Sequence, residues 1–169
     1  PNPHYQYLPI DTRYFKDLEL EILALFDDLD ESLDGWLIKS ENYQALNTIL
    51  PKWKEKVQCI YIDPPYNTTN DEFVYQDVYR HSSWCTMMEN RLQKARGLLS
   101  SLGMIFVSID DNEQANLRKL MDFVFGADNF VASVAWWKRH GRNNNAKACS
   151  DVKDFVMWFR GSESLSEIR

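Results

Sequence analysis

The stretch VQCIYIDPPY at residues 57–66 decides how the chain folds. Its first six residues, at 57–62, form an apolar run with no polar face, which is typical of a central strand covered by helices on both sides. Asp63-Pro64-Pro65-Tyr66 follows directly, and two prolines cannot continue the hydrogen-bond ladder of a strand. The stretch therefore predicts a buried strand that ends abruptly in a rigid turn.

The segments on either side of this stretch predict an alternation of strands and helices. Upstream lie a short strand at 36–38 and a helix that Pro51 ends. Downstream follow a polar loop at 67–83, a long amphipathic helix at 84–102, a strand at 104–109, a helix ending before Gly126, and strands at 130–137 and 154–159 joined by a basic, Asn-rich loop at 140–150. Such an alternation is typical of a parallel α/β sheet, in which ligands bind beyond the carboxyl ends of the strands.

The charge of the chain is divided unevenly along its length. Residues 1–34 hold nine carboxylates against two cations, a net −7, although the whole chain carries only −6. We therefore expect an acidic segment at 1–34, with a helix at 17–26, followed by the main domain at 35–169. Residues 136–160 hold six cations and two acids, which fits either a DNA-facing surface or an ordinary solvated one.

The composition excludes several classes of protein. The chain has 169 residues, 44% of them hydrophobic, which is enough for one domain with a sizeable core. No apolar run approaches the ~18 residues that a membrane span needs, and no signal-peptide pattern opens the sequence. The three cysteines lie far apart and form no CxxC pair, which argues against a disulfide framework and a zinc site. These features fit a cytoplasmic protein with no membrane partner.

The tetrapeptide Asp63-Pro64-Pro65-Tyr66 has the groups that methylation of an exocyclic amine requires. The lone pair of such an amine is delocalised into the ring, so two acceptors must hold its two N–H groups and make it more nucleophilic. Asp63 supplies a carboxylate, Pro64 supplies a carbonyl, and Pro65 keeps the two in a fixed relation. Tyr66 can stack on a base that has left the duplex. Alternatively, the tetrapeptide only ends a strand and starts a turn.

Six segments of the chain resemble the β-class amino-methyltransferases, and more narrowly the modification subunits of type III restriction systems. They are CIYIDPPYNT (59–68), FVYQD (73–77), SSWCTMMENRL (82–92), GMIFVSIDDNE (103–113), FGADNFVASVAWWK (125–138) and DFVMWFR (154–160). They follow the order of that family. The resemblance implies an α/β fold, a partial Rossmann-like methyltransferase sheet that is mostly parallel, with helices on both faces and a terminal antiparallel hairpin.

The resemblance also implies roles for individual residues. Asp63 and the Pro64 carbonyl would hold the target amine, and Tyr66 would stack on the flipped base. Asp63 would also lie near the methionine end of the cofactor, S-adenosyl-L-methionine. Glu41 and Asn42 would lie near the ribose or adenine of that cofactor. Alternatively, Glu41 only begins a helix, where an acid is favoured in any case.

The pair Asp110-Asp111 resembles part of a metal site. No other set of ligands accompanies it, and methyl transfer from a sulfonium needs no metal. We therefore expect Asp111, together with Gln114, to cap the helix that follows. Trp84 is expected in the hydrophobic core and not as a platform for base stacking.

One motif of the family does not occur in these 169 residues. The six glycines lie too far apart to form the glycine-rich cofactor motif Phe-x-Gly-x-Gly. In the family, the strands of that motif lie between the strands predicted at 36–38 and 57–62. We therefore expect a gap in the sheet and an exposed edge on an apolar strand. The chain is expected to be an N-terminal fragment that binds cofactor poorly and methylates nothing by itself.

The expected function is site-specific DNA methylation, with transfer of a methyl group from S-adenosyl-L-methionine to adenine N6 within a restriction-modification system. The resemblance favours adenine, because cytosine-N4 enzymes more often begin the tetrapeptide with Ser. Contacts to double-stranded DNA are expected from Asn67, Thr68, Arg139 and Arg142. A second modification subunit and a restriction subunit are the expected partners. The alternatives are a cytosine-N4 enzyme, an RNA methyltransferase and a non-catalytic nucleic-acid-binding domain.

Overall fold

The computed structural model describes residues 2–5, 11–68, 80–138 and 152–162. The chain forms two units, Pro1–Lys39 and Ser40–Arg169, each with its own internal contacts. No helix within the described ranges is long and apolar enough to cross a membrane. The expected domain boundary after residue 34 stays a prediction.

The first unit holds only short helical segments. Single 3-10 turns lie at Pro3–Tyr5 and Thr12–Tyr14, followed by helices α1 (Glu19–Leu23) and α2 (Leu29–Ser32). The helix expected at 17–26 is therefore shorter than predicted. Its apolar side chains stay exposed, Leu20 and Leu25 most of all, and a short helix without a packed apolar face is marginal in water.

The strand expected at 36–38 is not found in the described structure. Residues 36–38 form no β-ladder, and Leu37 is fully exposed. A strand is stable only where a neighbouring strand takes up its backbone hydrogen bonds. The described residues of the first unit contain no strand, so the prediction from the apolar residues at 36–38 alone is wrong.

The second unit is an α/β structure built on one four-stranded sheet. Its strands are β1 (Val57–Ile62), β2 (Leu99–Ile109), β3 (Phe130–Trp137) and β4 (Lys153–Arg160). They lie in the order β1-β2-β4-β3. β1 pairs with β2 in parallel, whereas β4 is antiparallel to both β2 and β3. The α/β class and the terminal antiparallel hairpin are confirmed, but the described sheet is mixed and not mostly parallel.

β1 lies at the edge of this sheet and not at its centre. Among the described strands, β2 alone pairs with it. No residue of β1 is fully buried, and Tyr61 is 61% exposed. The expectation of a strand covered on both sides is therefore wrong for the described residues, because an apolar run does not show which neighbours cover it. Within the described residues no strand pairs with the outer edge of β1, and the gap expected in the sheet stays a prediction.

Three helices, α3 (Asn42–Trp53), α4 (His81–Leu98) and α5 (Gln114–Phe125), complete the unit, and α4 contacts both of the others. α3 continues through Pro51 to Trp53, so the expectation that this proline ends the helix is wrong. A proline in the last turn removes only one backbone hydrogen bond. The helix also packs on α4, which stabilises its last turn. Gly126 follows α5 as expected, with a φ of 93° that glycine adopts without strain.

The junction between α4 and β2 falls earlier in the chain than the sequence predicts. The helix expected to reach residue 102 ends at Leu98, and Leu99 already has extended backbone angles of −71° and 129°. The register of β2 on β1 shifts close to this point. Leu102 continues the helical spacing of apolar residues, but it is exposed on the strand, whereas Leu99 is buried in the core.

The hydrophobic core lies between one face of the sheet and helices α4 and α5. Alternate residues of β2 and β4 point into it and meet helix residues at three- and four-residue spacing. The fully buried members are Trp84, Met88, Leu92, Ile105, Val107, Ile109, Leu117, Met121, Phe125, Met157 and Phe159. On the opposite face, Phe106 of β2 stacks on Trp158 of β4 with 5.4 Å between the ring centroids. Of the two expected helix layers, the described residues show the one on the buried face.

Helix α5 offers a matched pair of substitutions that tests this packing. Leu117 is completely buried, whereas Phe123 on the same helix is 73% exposed. We expect Leu117→Ala to lower the free energy of unfolding by roughly 2–5 kcal/mol, because it leaves a cavity in the core. Phe123→Ala should change it by no more than about 0.5 kcal/mol. Urea-induced unfolding measures both values, and equal losses would contradict the described position of α5.

Candidate active site

The tetrapeptide and the Asp110-Asp111 pair lie at the same edge of the sheet. Asp63 directly follows Ile62 at the end of β1, and Asp110 directly follows Ile109 at the end of β2. β1 and β2 are parallel, with Ile62 opposite Val107, so both strands end on the same side. This is the edge at which α/β sheets bind ligands, and the exposed Asp63 carboxylate is accessible there.

A buried tryptophan holds the turn of the tetrapeptide. The Trp84 indole Nε1 donates a hydrogen bond of 2.8 Å to the carbonyl oxygen of Pro65. The ring itself is completely buried in the core, so the expectation of a core tryptophan is confirmed. The sequence pattern does not show the hydrogen bond of this ring, which links the turn after β1 to helix α4.

A buried carboxylate holds the residue after the tetrapeptide. Glu113 is completely buried, and its oxygens accept hydrogen bonds from Asn67 Nδ2 at 2.5 Å and from Asn116 Nδ2 at 2.7 Å. The Nδ1 atom of His81 lies 2.6 Å from the same carboxylate. Asn67 has a φ of 60°, a left-handed conformation that asparagine tolerates better than most residues. Three separate segments of the chain therefore meet at Glu113.

Tyr66 is half-buried at the end of β1 and interacts with the side chain of Asp63. Burial of the ring, followed by this interaction and by the negative charges of Asp63 and Asp154, holds the pKa of Tyr66 well above its ordinary value. A hydrogen bond of 2.8 Å joins the Ser108 hydroxyl to that of Tyr61.

A cleft of about 380 Å³ lies beside Tyr66, near the carboxyl ends of β1 and β2. Its walls are formed by Tyr61, Tyr66, Ser108, Trp136, Asp154, Phe155 and Val156. The lining combines aromatic rings with hydrogen-bonding groups, which suits a flat heterocycle with polar edges. Asp154 also forms an ion pair with Lys138, with 2.6 Å between the carboxylate oxygen and Nζ.

The Asp110-Asp111 pair does not cap helix α5. Asp110 accepts hydrogen bonds from the backbone nitrogen and the side-chain nitrogen of Asn112, at 2.9 and 2.8 Å. Asp111 forms an ion pair with Lys153 at 3.1 Å. The residue before α5 is Glu113, whose side chain makes no capping hydrogen bond, so the expected capping box is wrong. Burial raises the pKa of Asp110 above its ordinary value, and no cluster of three metal-ligating side chains occurs within the described ranges.

Glu41 lies at the start of helix α3. This agrees with the interpretation that the acid only begins a helix. Its Oε2 atom accepts a hydrogen bond of 3.1 Å from the backbone nitrogen of Gln44, and its Oε1 atom lies 2.5 Å from Arg91 Nη2. Its side chain is nevertheless about half exposed. Asn42 is the exposed first residue of the helix. Their predicted contact with a cofactor stays a prediction.

The predicted DNA contacts are only partly covered by the described residues. Asn67 and Thr68 follow the tetrapeptide and are half-buried, whereas Arg139 and Arg142 lie outside the described ranges. Sequence patterns do not single out Glu113, Ser108, Asp154 or Trp136 as site residues. Ser108 and Trp136 lie within predicted strands, and the only sign in the sequence is that segments carrying them belong to the resemblance.

Several known proteins are similar to this chain in sequence. A family model described as DNA methylase (N6_N4_Mtase) matches residues 57–166, which include the four strands and the tetrapeptide. The probable HindVI Mod subunit of a type III restriction-modification enzyme from Haemophilus influenzae is 44% identical over 129 residues. The EcoPI Mod subunit of a type III enzyme from Escherichia phage P1 is 36% identical over 162 residues. These matches cover 75% and 78% of the chain, but the chain spans only 17% and 25% of the two subunits.

Solved structures share the fold at low sequence identity. The M1.HpyAVI complex with SAM has a TM-score of 0.51 and 14% identity, covering 75% of this chain and 54% of that one. The cytosine-N4-specific PvuII DNA methyltransferase also has a TM-score of 0.51, with 15% identity and coverages of 70% and 47%. At these identities the likeness concerns the fold alone.

The Trp84–Pro65 hydrogen bond can be tested by a substitution that keeps the ring in place. Trp84→Phe leaves an aromatic side chain in the core but removes the Nε1 donor. We expect it to lower the free energy of unfolding by roughly 1–3 kcal/mol, since the Pro65 carbonyl loses its partner in a half-buried turn. Trp136→Phe, at an exposed indole, is the control and should change it little. Chemical denaturation compares the two, and equal effects would speak against the hydrogen bond as an anchor.

Proposed function

This chain belongs to the DNA methylase family, and from that premise we propose that it carries the substrate-binding half of an S-adenosyl-L-methionine-dependent DNA adenine-N6 methyltransferase. The observation that carries the proposal is the placement of the tetrapeptide. Its Asp63 carboxylate is exposed at the end of β1, and Tyr66 beside it lines a cleft suited to a heterocycle. The similarity to type III modification subunits supports a role in restriction-modification.

Asp63 and the Pro64 carbonyl hold the target amine in this proposal. Each accepts a hydrogen bond from one N–H group, which returns electron density to the nitrogen as the new bond forms. Tyr66 interacts with the Asp63 side chain, so the two side chains are close together. Formation of the N–C bond requires one N–H proton to leave, and Asp63 is the hydrogen-bonded group that can take it.

Binding of a base brings its amine to Asp63 beside Tyr66. A carboxylate accepts several hydrogen bonds, so Asp63 can hold the amine while Tyr66 stays in place. The Tyr66 ring is available for stacking, with Trp136 on another wall of the cleft. A base paired inside a duplex cannot reach such a cleft, so the proposal requires the base to flip out.

The proposed cofactor site is formed by Glu41, Asn42 and Asp63. Glu41 is half exposed although Gln44 and Arg91 contact it, so its carboxylate can also accept a hydrogen bond from a ribose hydroxyl. The Arg91 ion pair holds that carboxylate at the start of α3. When bound, S-adenosyl-L-methionine supplies an electrophilic methyl group on a sulfonium. Asn67 and Thr68, and Arg139 and Arg142 in the basic loop, are proposed to contact the DNA.

Adenine is the proposed base because the tetrapeptide begins with Asp. The proposed partners are double-stranded DNA, a second modification subunit and a restriction subunit, because the similar proteins are Mod subunits of type III enzymes. We also place the protein in the cytoplasm on this ground. Cytosine-N4 methylation and a non-catalytic role are the competing outcomes of the experiment that follows.

Methyl transfer by the full-length parent protein tests this proposal. We expect label from methyl-labelled S-adenosyl-L-methionine to appear in N6-methyladenine after digestion of plasmid DNA to nucleosides. Asp63→Ala and Asp63→Asn should lower the rate by about 100-fold or more, because the amine loses its charged acceptor. Both variants should keep their affinity for DNA.

Other outcomes of this experiment separate the alternatives. Label in cytosine would keep the mechanism and overturn the choice of base. A folded wild-type parent that binds DNA but transfers no label would favour a non-catalytic nucleic-acid-binding domain. Full activity of Asp63→Ala would remove Asp63 from the reaction.

The cofactor affinity of the 169-residue chain by itself is a separate prediction. The chain contains no glycine-rich cofactor motif, and β1 has no described neighbour on its outer edge. We therefore expect isothermal titration calorimetry to detect no binding of S-adenosyl-L-methionine by the isolated chain, while the full-length parent binds it. Comparable binding by both proteins would show that residues 1–169 contain the whole cofactor site.

A further inference from the structure

We propose that Glu113 is a positioning residue for methyl transfer, which holds the Asp63–Tyr66 turn in its productive geometry through Asn67. The proposal rests on the proposed function. Glu113 is completely buried, so we assign it no contact with DNA or cofactor. Its effect on the reaction must pass through the side chains that it binds.

Three side chains contact the carboxylate of Glu113. Asn67, His81 and Asn116 contact it at 2.5, 2.6 and 2.7 Å. They belong to the turn after β1, to the start of α4 and to the first turn of α5 respectively. A carboxyl group buried without such partners would be strongly unfavourable, so the three contacts satisfy its oxygens and fix the three segments to one another.

Asn67 lies directly next to the tetrapeptide in the chain. It is the first residue after Tyr66, and its left-handed φ of 60° sets the direction in which the chain leaves the turn. A non-glycine residue keeps such a conformation only where its surroundings stabilise it. The hydrogen bond to Glu113 is a direct restraint on Asn67. Loss of that restraint would free the turn on the side of Tyr66.

A second restraint acts on the residue before Tyr66. Trp84 of α4 donates to the Pro65 carbonyl, and His81 at the start of the same helix contacts Glu113. Tyr66 therefore lies between two restraints, one at the preceding residue and one at the following residue. Both restraints are connected to α4. Displacement of a reacting group by about 1 Å can cost roughly 100-fold in rate, which is why such restraints matter for Asp63 and Tyr66.

Two variants at the same carboxylate separate positioning from simple stabilisation. Asn67→Ala and Asn116→Ala each remove one hydrogen bond to Glu113, but only Asn67 is joined to the turn. In the full-length parent we expect Asn67→Ala to lower the single-turnover rate of methyl transfer to plasmid DNA by about 10- to 100-fold. Asn116→Ala should stay within about twofold of wild type. The rates are compared at saturating DNA, because Asn67 is also proposed to contact the DNA and its loss raises the KM; Asn116→Ala should leave the KM for DNA unchanged.

The route through Asn67 is tested by a double-mutant cycle. If Glu113 acts through Asn67, the variant Glu113→Ala/Asn67→Ala should be no slower than the slower single variant. Additive losses at saturating DNA would mean that Asn67 and Glu113 act independently, and would overturn the proposal. If Glu113→Ala does not fold, Glu113→Gln takes its place and should keep most of the rate, since its carbonyl oxygen can still accept from Asn67.

Hydrogen exchange of the backbone amides gives a readout that does not depend on activity. Peptides covering residues 63–68 should exchange faster in Asn67→Ala and Glu113→Ala, but not in Asn116→Ala. Unchanged exchange in Asn67→Ala, or an equal loss of rate in Asn116→Ala, would overturn the positioning role. A wild-type parent that transfers no methyl group would refute the proposed function alone, because the exchange of residues 63–68 would still test the restraint.

Discussion

The hydrogen bond from the Trp84 indole to the Pro65 carbonyl joins the two parts of the structure that matter most. The ring is the largest of the completely buried side chains, so its position is set by the packing of α4 against the sheet. Its nitrogen reaches a turn whose prolines cannot be fixed by a β-ladder. The packed core therefore holds the segment that carries Asp63 and Tyr66. The packing of Trp84 in the core therefore restrains the turn at the carboxyl end of β1.

The sequence predicts those elements whose signal is local. β1 at 57–62 and the hairpin of β3 and β4 are found close to their expected bounds, because apolar runs bounded by proline, glycine or polar loops are specified by the residues themselves. The strand expected at 36–38 and the helix expected at 17–26 depend on partners that the described residues do not supply. The end of α4 is also wrong, since Leu99 and Leu102 fit both a helical period and an alternating strand pattern. Tertiary context decides between the two.

The candidate site divides in the same way. The tetrapeptide is recognisable because its chemistry lies in four consecutive residues. Glu113, Ser108, Asp154 and Trp136 reach the site or its supports only through contacts distant in sequence, and no spacing rule links them to Asp63. The capping role expected for Asp111 is wrong because an acid before a helix has several possible partners, and here Lys153 lies within reach.

The outer edge of β1 has a consequence for how the protein behaves in solution. The strand reads VQCIYI, with no charged residue and several residues of high β-propensity, and no described strand covers that edge. Short uncharged segments of this composition form cross-β stacks when their backbone is accessible. Chains in which this edge is left open should therefore self-associate as their concentration rises. Any segment that covers β1 thus protects the protein from aggregation as well as extending its sheet.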